Sequence, residues 1–236
     1  MLRSDTSCTR RKDFRLSRLF RIEFKGAWYY VTAHGTGGRS LFTCNRDRNK
    51  MLEYLQNVRD RFQIRFHAFC LMDSAYHLLL ETPKGNLSHA MQYLNSSYTM
   101  YFNHKHHRHG HLFGGRFQAV VVDPEAYVRE ISSYIHLTPV RSGLCEQPEI
   151  YRWSSYRYYV EGDIPPEFLT IQTVLKSFDR VQQRAEEKYQ EFTAHVARLN
   201  MGNPCDNASR EAILGNDAFI SDILKKEECS QKRDLS

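Results

Sequence analysis

The stretch Ile64-Arg-Phe-His-Ala-Phe-Cys-Leu71-Met-Asp-Ser-Ala75-Tyr-His-Leu-Leu-Leu-Glu81 decides the fold. Two runs rich in aliphatic and aromatic residues, Ile64 to Leu71 and Ala75 to Glu81, flank Met72-Asp-Ser74, which predicts two strands joined by a tight turn. Upstream, Trp28-Tyr-Tyr-Val-Thr-Ala-His34 is dense in aromatic and β-branched residues and ends at Gly35-Thr-Gly-Gly38, so it predicts a strand entering a turn. Between them, Met51, Leu52, Leu55, Val58 and Phe62 recur at helical spacing. Downstream, Pro83-Lys-Gly85 breaks the chain, Leu87 to Asn103 has the pattern of an amphipathic helix, and Phe113 to Val122 that of a fourth strand. Asp123-Pro124 then opens a third helix reaching about Leu137, with Asp123 as N-cap and Pro124 at its first position. The order β-α-β-β-α-β followed by a helix predicts an α+β fold, a ferredoxin-like split βαβ sheet with helices on one face.

Composition divides the chain further. Residues 1–160 carry 23 Lys+Arg against 13 Asp+Glu, whereas 161–236 carry 10 against 14. The expected organisation is a basic N-terminal segment (1–24), a main domain (25–160), and an acidic, helical C-terminal extension (161–236) whose last dozen residues fray. A basic first part suits a polyanionic partner, because each neutralised phosphate releases counterions; an ordinary basic surface is the plainer alternative. Hydrophobic content of 41% and aromatic content of 13% belong to a folded chain rather than a disordered one. No apolar run approaches the ~20 residues that cross a bilayer, and the basic N-terminus lacks the apolar core of a secretory signal. The six cysteines are scattered without a CxxC pair, so free thiols in a cytoplasmic protein are expected rather than a structural zinc.

On the third helix, Tyr127, Glu130, Tyr134 and Thr138 share a face. A phenol with pKa ~10 attacks a phosphodiester only with a metal or base beside it and the phosphate polarised. The alternative for Tyr134 is structural: a ring packed on the sheet with its hydroxyl at the edge.

Four ordered motifs add a resemblance. Tyr134-Ile-His-Leu-Thr-Pro-Val-Arg-Ser-Gly143 closely resembles the tyrosine motif of the small HUH-type single-strand transposases, nearest to the REP-associated tyrosine transposases. His67-Ala-Phe-Cys-Leu-Met72 with His77-Leu-Leu-Leu80 is similar to the family's strand pair. Gly110-His-Leu-Phe-Gly-Gly-Arg-Phe117 and Trp153-Ser-Ser-Tyr156 resemble two further family segments, and Ile213-Leu-Gly215 with Phe219-Ile220 is similar to the tail of longer members. The likeness spans roughly 25–225. It implies a homodimer that recognises hairpins in single-stranded DNA, with Tyr134 as the catalytic nucleophile forming a 5′-phosphotyrosine and a divalent metal, Mg²⁺ or Mn²⁺, as cofactor.

The sequence departs from that pattern at the metal. The family's His-x-His, whose two imidazoles share one strand face, is here Ala75-Tyr76-His77, and the family's helix amide is Thr138. His77 and Thr138 remain as metal-ligand candidates, and Asp73 has the strand parity to stand in for the lost imidazole. Two readings follow: a tyrosine transposase that cuts and rejoins single strands, or a binding module on the same scaffold with its chemistry weakened or lost. In the histidine-rich Asn103-His-Lys-His-His-Arg-His-Gly-His111, Lys105 and Arg108, together with Arg116, are candidate phosphate contacts. His111 and Phe113 are candidates for stacking on or bonding to unpaired bases.

Overall fold

The computed structural model describes residues 21–234, so the basic cluster Arg11, Lys12, Arg15 and Arg18 lies outside the described residues. In chain order the principal elements are β1 (Ala27–His34), α1 (Asn45–Phe62), β2 (Arg65–Met72), β3 (Ala75–Thr82), α2 (Leu87–Lys105), β4 (Gln118–Val122) and α3 (Pro124–Arg141). Four helices and a short strand follow: α4 (Arg157–Val160), α5 (Gln172–Leu175), α6 (Gln182–Arg198), β5 (Ile213–Leu214) and α7 (Asp217–Asp234). The strand order is β2-β3-β1-β4-β5. Its first four strands form the antiparallel split βαβ sheet that the residue pattern predicts.

Strand alternation sorts the side chains into two layers. On one face, the Tyr76 hydroxyl donates to Asn95 of α2, and α1 packs beside α2 through Tyr54 and Tyr98. On the other face, Tyr30 of β1 meets the Tyr134 ring of α3 edge-on. The two ferredoxin-type helices thus share one face and α3 covers the other, which buries the central strands on both sides. Val31, Leu78, Leu79 and Leu80 are all fully buried, as expected of a sheet covered on both sides.

Helix boundaries follow from local chemistry. Asp123 caps α3, its carboxylate accepting from the Glu125 backbone N–H at 3.1 Å. The helix continues beyond Leu137 and through Pro139 to Arg141. Pro139 has no N–H to offer the Ile135 carbonyl, and the Thr138 hydroxyl compensates by contacting the Ile135 and Tyr134 carbonyls at 2.9 and 3.0 Å. The fourth strand is shorter than its sequence predicts. It begins only at Gln118, because Gly114 and Gly115 carry a loop round the end of β1, and Phe113 makes just an isolated bridge to Gly35.

Residues beyond 161 return to the same core. β5 adds to the sheet edge in parallel with β4, Val121 opposite Ile213 and Val122 opposite Leu214. Tyr189 of α6 is completely buried, its hydroxyl 2.6 Å from His136 Nδ1 on α3. The second imidazole nitrogen lies 2.7 Å from Ser155 Oγ, so one histidine ties α3, α6 and the Trp153–Tyr156 segment together. Where the sequence predicts fraying over the last dozen residues, α7 instead runs through Asp234.

Candidate active and nucleic-acid-binding site

The α3 face of the sheet holds an open cleft of about 310 Å³ lined by Tyr30, Thr32, His34, His77, Gln118, Tyr134, Cys205 and Asp206, among others. Tyr134 and His77, separate in sequence, therefore meet within one chain. Tyr30 links them: its hydroxyl is 2.7 Å from His77 Nδ1, and its ring lies 6.1 Å from that of Tyr134, nearly perpendicular. The segment 203–208 forms the far wall, placed there by β5 pairing with β4.

The electrostatics of this cleft oppose ionisation. Burial raises the Tyr134 pKa above its usual 10, and the Arg141 guanidinium, 4.8 Å over the ring, offsets only part of that. Burial also holds His77 down at about 4, helped by the neighbouring His34. At neutral pH the phenol keeps its proton and the imidazole is neutral. From an ordinary phenol at ~10 to an imidazole at about 4, proton transfer is uphill by roughly 8 kcal/mol, and the raised Tyr134 pKa makes this a lower bound. His77 is thus a poor base for Tyr134.

The metal shell implied by the resemblance does not fit the residues present. Position 75 supplies only a buried methyl group. Thr138 is buried and its hydroxyl turned into its own helix, its one proton shared between two backbone carbonyls. Asp73 does not rescue the site either; it sits in the turn between β2 and β3, paired with Arg48. Among the described residues no group of three or more His, Cys, Asp or Glu side chains is arranged to hold a metal. A hard Mg²⁺ or Mn²⁺ demands several oxygen ligands in near-octahedral order; Asp206, Gln118 and Asn203 line the cleft, but among the described residues no acidic or imidazole cluster gathers them round one point.

Four of the candidate nucleic-acid contacts, Arg108, His111, Phe113 and Arg116, lie in one loop, residues 106–117, between α2 and β4. Backbone bonds lace this loop to the end of β1, Gly114 N donating to the His34 carbonyl and Thr36 N to the Leu112 carbonyl, each at 2.9 Å. His111 and Arg116 are exposed, while Phe113 is half-buried with its ring edge-on to Tyr76. Arg116 lies near enough to Arg21 to depress that guanidinium's pKa, after burial the main cause. Arg108 is half-buried, its guanidinium 5.7 Å over the Phe102 ring. Lys105 is differently placed. Its ammonium is 2.5 Å from the buried Asp47 carboxylate and 3.0 Å from Cys44 Sγ, so it serves an internal ion pair. Sequence reasoning missed His34, which joins the cleft by sitting on the same β1 face as Tyr30 and Thr32.

Residues 31–138 match the family model described as IS200-like transposase. Among solved structures, one described as a REP-associated tyrosine transposase bound to a REP hairpin is similar, with a TM-score of 0.56 and 16% identity. That likeness covers 66% of this chain and 92% of the other, and it shows a shared fold. No curated protein sequence matches the chain. The matched span includes His77 and Tyr134, two residues on which the motif resemblance rests. Among the described residues no helix is long and apolar enough to cross a membrane.

Proposed function

We propose that this chain, which carries an IS200-like transposase domain, binds hairpin-forming single-stranded DNA and no longer cuts it with the help of Mg²⁺ or Mn²⁺. The observation that carries this reading is the composition of the cleft. Tyr134 and His77 both line it, joined through Tyr30, but Ala75 and the inward-turned Thr138 leave the hard-metal shell unmade. Binding needs only the parts that are present: a basic loop with Arg108 and Arg116 for phosphates, and His111 and Phe113 for splayed bases. Strand cleavage needs more, namely a deprotonated phenol and a polarised phosphate. The neutral, half-buried Tyr134 and weakly basic His77 supply neither at useful cost.

A second reading, cleavage and rejoining through a 5′-phosphotyrosine, is favoured by one observation. Tyr134 still opens into the cleft beside His77 within a single chain, so a second copy is not required to complete the pair. The homodimer implied by the resemblance then serves DNA recognition, and sedimentation of the free protein and of its DNA complex tests it.

The deciding experiment incubates the protein with a hairpin oligonucleotide and Mg²⁺ or Mn²⁺, following binding by anisotropy and covalent adduct on denaturing gels. Binding without adduct is expected. Adduct should appear only after Ala75→His with Thr138→Asn, and vanish again when Tyr134→Phe is added. Adduct formed by the unaltered chain would establish the cleavage reading instead. Equal affinity for hairpin and unstructured strands would overturn hairpin recognition.

A further inference from the structure

The β1–β3 ladder sets His34 directly opposite Ala75, the position where the resemblance leads one to expect an imidazole, and Thr32 opposite His77. Residues two apart on a strand share a face, so His34 and His77 are diagonal neighbours on the cleft side. Their ring centroids are 6.3 Å apart and the rings perpendicular. Two imidazoles bound to one tetrahedral ion through nitrogens at ~2.1 Å have ring centres roughly 5.3 Å apart. The observed pair lies about 1 Å beyond that, a gap that an inward turn of the exposed His34 ring closes.

The remaining geometry points the same way. His77 is 93% buried, and its Nδ1 is held by Tyr30. That leaves Nε2 without a hydrogen-bond partner among the described residues and the ring in the cleft wall. An outer hydrogen bond on one nitrogen is how a ligating histidine is usually oriented; with the Tyr30 oxygen accepting from Nδ1–H, Nε2 carries the lone pair. His34 is exposed at the cleft mouth and makes no side-chain hydrogen bond among the described residues, so its ring is free to turn toward the same point. The ligand set contains two nitrogens and no converging carboxylate, which selects by softness.

We propose that His34 replaces, from the neighbouring strand, the imidazole missing at position 75, so that His34 and His77 together hold an imidazole-preferring divalent ion such as Zn²⁺ or Co²⁺ rather than Mg²⁺. Water or another small oxygen ligand fills the remaining coordination positions. This site stands independently of DNA binding: it requires only the β1–β3 register and the cleft. It also differs from a His-x-His site, in which both imidazoles come from one strand.

The test is Zn²⁺ alone, titrated into DNA-free protein, with ¹⁵N imidazole NMR reporting each histidine. Site resolution matters because five histidines crowd 104–111 and capture metal on their own account. The expected result is that one equivalent shifts the His34 and His77 ring nitrogens while millimolar Mg²⁺ does not. His34→Ala should weaken Zn²⁺ binding at His77 by roughly tenfold or more, since one of two nitrogen ligands is lost. His34→Ala with Ala75→His should restore it, because residue 75 faces residue 34 across the ladder and lies on the side of His77. A His34 resonance that ignores Zn²⁺ would overturn the proposal. So would a His34→Ala protein that binds as tightly as the parent, or a double variant that keeps the parental melting curve yet regains nothing. Hairpin binding is measured separately, so loss of one result leaves the other standing.

Discussion

Replacing His136 by Phe gives a stability effect whose size should change with pH. His136 is completely buried, its two nitrogens 2.6 Å from Tyr189 Oη and 2.7 Å from Ser155 Oγ. A phenyl ring keeps the volume and removes both bonds. Ser155 retains the Phe69 backbone N–H at 2.9 Å, and the Tyr189 hydroxyl keeps Ser132 and Thr193 beside it. The cost at neutral pH is about 1–3 kcal/mol. Burial holds the His136 pKa down at about 3, whereas the unfolded chain titrates near 6.5. Between those values only the unfolded state takes up a proton at this residue. Its contribution is therefore complete above pH ~6.5 and falls by ~1.4 kcal/mol per pH unit as the pH drops. At pH 4.5 the parent has lost about 2.7 kcal/mol at this residue, and the Phe variant has no such loss. Urea unfolding followed by circular dichroism at pH 7.5 and 4.5, at equal ionic strength, measures the gap between the two proteins. The gap should shrink by about 2–3 kcal/mol on acidification. A gap equal at both pH values would show that His136 is not held neutral by the α3–α6 interface.

Two further outcomes follow from the same coordinates. Gly85 has φ +66°, and a Cβ there would lie 2.8 Å from the Phe24 carbonyl carbon; Gly85→Ala should cost about 2–3 kcal/mol in thermal or urea unfolding, and a neutral result would contradict this close approach. Hairpin affinity should fall at least ~10-fold between low and physiological salt, and Arg116→Ala should lower the logarithmic salt slope by about 1. A flat salt response would remove phosphate contact from the reading.

Much of the fold was legible because it rests on short-range periodicity. The hairpin of β2 and β3, α1 from Asn45 to Phe62 and the Asp123-Pro124 start of α3 each follow from residues within one element. The motif containing Tyr134 lies on α3, where Tyr134 lines the cleft. The errors lie where a distant segment competes. Leu137 looked like the end of α3 because Pro139 removes a backbone donor, yet the neighbouring Thr138 hydroxyl supplies the substitute bond and is thereby drawn away from the cleft. The pairing of Lys105 was not legible either, because only the tertiary structure sets Asp47, 58 residues earlier, against its ammonium. The acidic C-terminal segment gave no sign that Ile213 and Leu214 would extend the sheet and carry Cys205 and Asp206 into the cleft wall.

By itself, then, the sequence determined which residues alternate along each strand and that position 75 has no imidazole. It did not determine what lies across from that position. His34 and Ala75 become neighbours through the register of two strands separated by a whole helix and a third strand. Side-chain alternation is set by the local backbone, whereas register is set by the packing of both sheet faces at once, where a one-residue slip would move every side chain to the opposite face.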